Sequence, residues 1–304
     1  MASHPIVRQS SIVVILNGAA GVARGAVSDT ELRKLFRSAG GDAEIVRLRR
    51  GQNPTDMVRA ASTGARVVVA AGGDGTVNAV VNATIGSSSV LGVLPLGTLN
   101  HFAKDAGIPV ALREAIDVVV GGRTARVDVG TVNDRIFVNN SSIGIYPDIV
   151  EQREALRRQG HHKWTAYAMA TLDVVRRHPG IAVTLDIDGH SRRVRSPFVA
   201  VGNNEYAVEG LRMGGRTRLD AGKLFVYVAP RSRTRDLPLL LFNAVVGRAA
   251  RLGEFDSAAV TELRIHPAGA GRIAVALDGE VETMSTPLLY RVLPGALTVA
   301  VPRA

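Results

Sequence analysis

The chain contains no cysteine, which removes disulfides, thiolate metal sites and cysteine nucleophiles from consideration. Aromatic residues make up only 4% of it. Neither a zinc-finger spacing nor an aromatic-basic single-strand motif occurs, so no nucleic acid is expected as a partner. Lysine is nearly missing: Lys34, Lys104, Lys163 and Lys223 are the whole set, and the net charge of +10 rests on arginine. An arginine-rich coding bias accounts for part of that charge; the rest calls for an anionic partner such as an acidic membrane surface or a polyphosphate. No apolar run reaches the roughly 20 residues that span a bilayer. The nearest, Leu237 to Val246, is interrupted by Pro238 and Asn243, so no transmembrane segment is expected. The apolar stretch Ser11 to Leu16 has no cleavage-site pattern after a basic start, which argues against a secretory signal and for the cytoplasm.

What is present reads as two kinds of grammar. From Ser11 to Val129, short apolar runs (Ile12 to Leu16, Ala43 to Leu48, Val67 to Ala71, Val90 to Leu94) alternate with helix-like segments, the signature of a parallel sheet with crossover helices. Asn53-Pro54 supplies an N-cap and a proline at the first helical position, predicting a helix to about Ala61. Beyond Val129, strand-like pieces follow one another: Ile136 to Ser141, Ile181 to Ile187, Val194 to Gly202, Leu224 to Ala229, Leu263 to Pro267 and Ile273 to Leu277. They predict a mainly antiparallel layer with helical insertions near His161 to Arg177 and Arg235 to Arg251. The expected division is an α/β domain over 1–128 and a β-rich domain over 129–304. A last strand pair around a Pro294-Gly295 turn, 288–304, is free to join either.

The chemistry concentrates after the third apolar run. Val67 to Ala71 leads into Gly72-Gly73-Asp74-Gly75-Thr76, and Val77 to Ala83 reads as a helix. Strand, glycine turn and helix N-terminus together aim free backbone N–H groups and the positive end of a helix dipole at one point, where phosphate binds well. Glycines let the backbone approach closely. Asp74 is the informative residue, because a carboxylate beside polyphosphate is repelled unless Mg²⁺ lies between them or it accepts a proton. The same five residues also read as an ordinary tight turn. The spacing fits neither the P-loop nor the Rossmann fingerprint. After the fourth run comes Pro95-Leu96-Gly97-Thr98-Leu99-Asn100. Loops that follow neighbouring parallel strands gather on one sheet edge, so Thr98 and Asn100 are placed to offer neutral hydrogen bonds to a nucleotide. Thr98 also reads as a helix N-cap. Gly18-Ala19-Ala20-Gly21, after the first run, is a weaker glycine loop.

This pair of loops resembles the catalytic region shared by bacterial diacylglycerol-kinase-like lipid kinases and eukaryotic diacylglycerol, sphingosine and ceramide kinases. Asp128 in Val127-Asp128-Val129-Gly130 and the late Asp278-Gly279-Glu280 fit the same pattern. The resemblance implies an ATP-binding α/β domain joined to a β-sandwich-like domain, with the active site in the cleft between them. It implies Mg²⁺ and ATP as phosphoryl donor, and a lipid hydroxyl as acceptor, with diacylglycerol or a related lipid favoured. It assigns Asp74, Glu280 and Asp128 to an acidic catalytic network. Nucleotide contacts fall to Asn17, Gly72, Gly73, Gly75, Thr76, Gly97, Thr98 and Asn100, and the metal of Mg-ATP to Asp74.

Two departures stand out. Asn17-Gly18 stands where the family usually has Asn-Pro, and Leu219-Asp220-Ala221-Gly222 has one acid where many members carry two and bind a structural magnesium. That second metal site at Asp220 is therefore in doubt. A soluble-metabolite kinase of the NAD-kinase type is the main rival reading, and a catalytically inactive lipid- or nucleotide-binding homologue the other. A lipid substrate places the chain transiently at an anionic membrane face. Arg153, Arg157, Arg158 and Lys163 in the first helical insertion are candidates for that contact, with Arg231, Arg233 and Arg235 ahead of the apolar Leu237 to Phe242 in the second. An exposed sheet edge could also pair two chains as a homodimer.

Overall fold

Ile-Val-Val-Ile-Leu, β-branched and apolar without alternation, can only be buried on both faces, and all five residues of β1 (Ile12–Leu16) are buried. In the computed structural model, residues 12–17, 27–48, 53–177, 180–187, 189–209, 212–229, 256–269 and 271–303 are described. The Gly18 to Gly21 loop, the insertion Arg235 to Arg251 and the basic and apolar residues from Arg231 to Phe242 lie outside them. Two units emerge. One takes Met1–Val127 with Ala296–Ala304, and the other Asp128–Gly295.

In the first unit, β1 is followed by α1 (Asp29–Ser38), β2 (Ala43–Arg47), α2 (Pro54–Ala61), β3 (Val67–Gly72), α3 (Asp74–Thr84), β4 (Val90–Pro95), α4 (His101–Asp105), α5 (Leu112–Gly121) and the start of β5 (Arg123–Val132). The strands lie in the order β2-β1-β3-β4 and all pair in parallel. From β1 the chain steps to one side for β2 and to the other for β3 and β4, so the connections diverge between β1 and β3. Ligands of such sheets bind at that divergence, outside the carboxyl ends of the strands. Local signals behave as their chemistry demands: Asn53 accepts the Thr55 N–H at 2.9 Å, Ser28 that of Glu31 at 3.1 Å, and Pro54 opens α2.

The second unit continues with β6 (Arg135–Phe137), β7 (Asn140–Gly144), α6 (Ile145–Arg158), α7 (Lys163–Arg177), β8 (Ile181–Ile187), β9 (His190–Ser196), β10 (Phe198–Asn203), β11 (Tyr206–Glu209), β12 (Arg212–Arg216), β13 (Leu224–Val228), β14 (Asp256–Val260), β15 (Glu262–Pro267), β16 (Arg272–Leu277), β17 (Glu280–Ser285) and β18 (Leu288–Val301). A six-stranded antiparallel sheet, β14-β13-β10-β7-β16-β17, packs its inner face on a second layer built from β9-β8-β15 and the first half of β18. Val201, Leu224 and Leu277 of the first meet Leu185, Ile265 and Tyr290 of the second in one buried cluster. Each such aliphatic side chain contributes about 1.5–3 kcal/mol when fully buried.

Several expectations need correction. The run Ile136 to Ser141 is two strands, β6 and β7, broken at Val138 and Asn139. Val194 to Gly202 is likewise two, divided at Pro197 between the two layers, because proline cannot donate to a ladder. Pro294-Gly295 is not a turn; it lies inside the 14-residue β18, with Gly295 at φ 55°. From Ala296 onward β18 clusters with the first unit, where Val299 pairs in parallel with Leu91. The first helical insertion is two helices: α6 begins well before His161, precedes α7 and shares with it the cluster of Ile145, Ile149, Tyr167, Ala170, Val174 and Ala229.

Candidate active site

The divergence of the first sheet is where the glycine loops meet. Asn17, directly after β1, donates from its side chain to the Thr76 hydroxyl at 3.2 Å, and its backbone N–H donates to the Ala71 carbonyl at 3.0 Å. Thr76 is buried, and a Cβ on Gly72 would fall 2.2 Å from its hydroxyl oxygen, so glycine there is a condition of the Thr76 anchor. Helix α3 begins at Asp74, three residues earlier than its apolar pattern suggests, with Gly73 as N-cap. The Thr76 and Val77 amides turn back onto the Gly73 carbonyl. The amides of Asp74 and Gly75, ahead of them in the same turn, have no intrahelical acceptor, and Gly75 is exposed.

The second loop is clamped to the first. Leu96 and Gly97 both donate to the Gly72 carbonyl, at 3.0 and 3.2 Å. A Cβ on Gly97 would lie 2.4 Å from the Gly73 Cα, so the two backbones touch and leave no room for a side chain. The glycine at 97 thus serves loop-to-loop approach. Asn100, buried and in the left-handed conformation at φ 51°, accepts the Gly97 N–H at 3.0 Å and donates to the Gly97 and Pro95 carbonyls. Its side chain is fully engaged in shaping this loop, so it orders the site from beneath. Thr98 is exposed and is not the N-cap; that position falls to Asn100. Asp74 Oδ1 accepts the Phe102 N–H at 3.1 Å, tying the start of α3 to α4.

In the second unit the acidic residues divide by role. Asp128 is 3% exposed and spends both oxygens on backbone amides, Gly222 at 2.6 Å and Gly295 at 2.8 Å. A carboxylate so engaged positions two loops. Asp278, at φ 48°, accepts from three successive amides, Val138 at 2.8 Å, Asn139 at 2.8 Å and Asn140 at 3.1 Å. It thereby builds the break between β6 and β7 and fixes the turn that presents Glu280. Pattern reading placed Asp278 in the motif without a function; the available signal was an acid before Gly279, a pair suited to a left-handed turn. Glu280 opens β17 on the solvent side. Partial desolvation, then the charges of Glu282 and Asp278, hold its carboxyl above the usual glutamate range, with Arg135 pulling the other way. Arg135 is itself ion-paired to Glu282.

With these positions in place, the comparison with known proteins is decisive. The family model described as diacylglycerol kinase catalytic domain matches residues 11–132, and that described as YegS C-terminal NAD kinase beta sandwich-like domain matches residues 142–301. The chain belongs to the diacylglycerol-kinase-like lipid kinase family. A probable lipid kinase YegS-like of Cronobacter sakazakii is 36% identical over 145 residues, 45% of this chain and 46% of that protein. A diacylglycerol kinase of Staphylococcus saprophyticus is 38% identical over 96 residues, 31% of this chain and 32% of that one. The matched stretches thus span less than half the length of these relatives. A crystal structure of a diacylglycerol kinase from Bacillus anthracis covers 97% of this chain and 98% of its own at a TM-score of 0.68 and 18% identity, which speaks to the fold.

Family membership implies Mg²⁺, and the donor sets answer differently at the two places. At Asp74 one carboxylate oxygen is taken by Phe102 and the other accepts no hydrogen bond among the described residues. That fits Mg²⁺ arriving with phosphates, which needs only one or two protein carboxylates. At Asp220 the side chain is exposed and paired with Arg218 at 3.1 Å, while both oxygens of Asp128 already accept backbone amides. Among the described residues no group of three or more His, Asp or Glu could hold a metal ion. The residues around Asp220 do not fit a structural magnesium.

Proposed function

We propose that the chain transfers the γ-phosphoryl group of Mg-ATP to a lipid hydroxyl, with diacylglycerol or a related lipid as acceptor. The observation that carries this reading is Asp74: an acid in the first turn of α3, at the divergence of a parallel sheet, inside a loop otherwise arranged to receive anions. The amides of Asp74 and Gly75 hold phosphate oxygens, and Thr98 is exposed for contact with the nucleotide. Asn17, Thr76, Gly72, Gly73, Gly97 and Asn100 keep the two loops in register. The other oxygen of Asp74 would hold the metal of Mg-ATP, which would supply neutralisation of the phosphate charge. Glu280, with its proton affinity raised, is suited to take the proton of the attacking hydroxyl. Asp128 acts only by positioning.

The deciding experiment is incubation with γ-labelled ATP and Mg²⁺ in the presence of a total lipid extract or of NAD. Label in a chloroform-soluble product is the expected result. Label on NAD alone would make the chain a soluble-metabolite kinase, and no transfer to either would leave it an inactive homologue.

The acid limb of the pH–rate profile carries a further expectation. Glu280 is raised in the folded chain, so its protonated form is favoured below that raised value and turnover requires its loss. Stability contributed by the proton is present below the unfolded glutamate pKa and disappears as pH rises through the folded one. Glu282→Gln removes a carboxylate that raises Glu280 and frees Arg135, which lowers it. The acid limb should therefore move to lower pH. An unmoved limb would take the proton-acceptor role from Glu280.

We also propose docking at an anionic membrane face. Among the described residues no helix is long and apolar enough to cross a membrane. Arg153 and Arg157 both pair with Glu154, at 2.9 and 3.3 Å, which leaves Arg158 as the stronger candidate on α6. On α7, Met169 and Leu172 are 48% and 49% exposed one turn apart. Sedimentation with phosphatidylglycerol vesicles should show binding that falls steeply with salt and is reduced by Met169→Ser with Leu172→Ser. Equal binding to neutral vesicles, or none to either kind, would remove the docking.

A further inference from the structure

Arg216 lies on β12, directly opposite Tyr206 of β11. In the sequence it is one arginine among many, yet it is only 4% exposed, and an arginine is almost never buried so far unless its charge is engaged. Nη1 donates to the Val138 carbonyl at 2.6 Å and to the Asn203 carbonyl at 2.9 Å, and Nη2 donates to Asn139 Oδ1 at 2.8 Å. Asn203, itself buried, donates to the same Val138 carbonyl at 3.0 Å and to the Asp128 carbonyl at 2.9 Å.

Val138 and Asn139 form the break between β6 and β7, where side chains must satisfy backbone groups that a continuous ladder would otherwise hold. Asp278 takes the amides of Val138, Asn139 and Asn140. Val138 is thus held at its N–H by a carboxylate and at its C=O by a guanidinium, and hydrogen bonds to ionised groups are the strong ones. The Asp278 amide returns to the Asn140 carbonyl at 2.9 Å. Tyr206 closes the circuit: the Arg216 guanidinium carbon stands 5.8 Å from its ring centroid, and its hydroxyl accepts from Asn140 Nδ2 at 3.1 Å. Glu280 comes two residues after Asp278. The turn that carries Glu280 therefore rests on a segment that Arg216 holds from the other side.

We propose that Arg216 is a positioning residue for the phosphoryl transfer: it fixes Val138 and Asn139, through them Asp278, and through Asp278 the turn that presents Glu280. This rests on the proton-acceptor role given to Glu280 above. The position requires arginine in place of lysine, because a planar fork reaches three oxygens at fixed angles, whereas an ammonium of equal charge is a single point. All of these bonds lie within the second unit, so the nucleotide loops of the first are left as they are.

The test sets Arg216→Lys and Arg216→Met beside wild type, each alone and combined with Glu280→Gln. Turnover is measured at saturating Mg-ATP with a total lipid extract in excess, Mg-ATP affinity by calorimetry, and local order by amide hydrogen exchange. Arg216→Lys should lower turnover about 10-fold or more and leave Mg-ATP affinity within about 2-fold. In the Glu280→Gln background the same change should cost less than about 3-fold further, because the group it positions is already gone. Exchange of the amides of 138–140 and 278–280 should quicken about 10-fold or more, with β1 and β3 unchanged. Arg216→Met should show the same pattern more strongly, and the lysine variant keeps the comparison open if the methionine variant fails to fold.

Wild-type turnover in Arg216→Lys would overturn the proposal. So would equal losses with and without Glu280, which would mean that the arginine acts on the fold at large, or faster exchange throughout the chain. Faster exchange confined to 138–140 and 278–280, in a protein whose wild type transfers phosphate to no lipid, would sink the kinase reading and leave the brace standing.

Discussion

Asp74→Asn is expected to lower turnover at saturating Mg-ATP and lipid by about 10²–10⁴-fold, equivalent to roughly 2.7–5.5 kcal/mol of transition-state stabilisation. The substitution keeps the oxygen that accepts the Phe102 N–H, so the link from α3 to α4 survives. What disappears is the charge on the other oxygen, the one available to a metal. Stability should change little, because a carboxylate in the first turn of an exposed helix end is worth only about 0.3–1 kcal/mol. The measurement is a pair: steady-state turnover, and thermal unfolding without ligand. Near-normal turnover in the Asn variant would remove Asp74 from the chemistry. Lost turnover together with a large fall in melting temperature would mean that the acid is structural.

Gly97→Ala should cost nucleotide binding and stability together. The added methyl would stand 2.4 Å from the Gly73 Cα and 2.7 Å from Asn100 Oδ1, distances that no Cβ tolerates. One obstacle is backbone, so relief requires the two loops to part, and the hydrogen bonds from Leu96 and Gly97 to the Gly72 carbonyl go with them. Forced overpacking of this kind costs about 1–3 kcal/mol. The phosphate-facing amides lose their spacing at the same time, so Mg-ATP affinity should fall about 10–100-fold by calorimetry, in keeping with 1.4–2.7 kcal/mol. Gly121→Ala is the matched control: a Cβ there meets nothing within 4 Å, and the change should be neutral or slightly stabilising. If Gly97→Ala bound Mg-ATP like wild type, the contact between the loops would have no bearing on the nucleotide.

Particular residues show why some of this was legible in advance. The apolar runs of β1, β3 and β4 and the Asn53-Pro54 start of α2 are decided within a few residues of chain, by burial and by capping, and they appear where the pattern places them. Asp74 was legible because an acid inside a glycine loop is chemically conspicuous. Asp278 and Asp128 were less so. Each holds amides more than 90 residues away in sequence, and nothing local to either shows which backbone it will meet. Asn100 reads as a nucleotide contact in a linear motif and turns out to be the internal brace of its own loop, because the left-handed turn directs its amide inward.

The sequence by itself determined the two-part architecture and the glycine loop with its acid, since these rest on local periodicity and on residue type. Only the tertiary structure decided which carboxylates are spent on backbone amides. It alone showed that Gly97 answers to Gly73. The reason is physical: a hydrogen bond or a steric contact between distant residues depends on how separate elements pack. No interval of sequence encodes that distance.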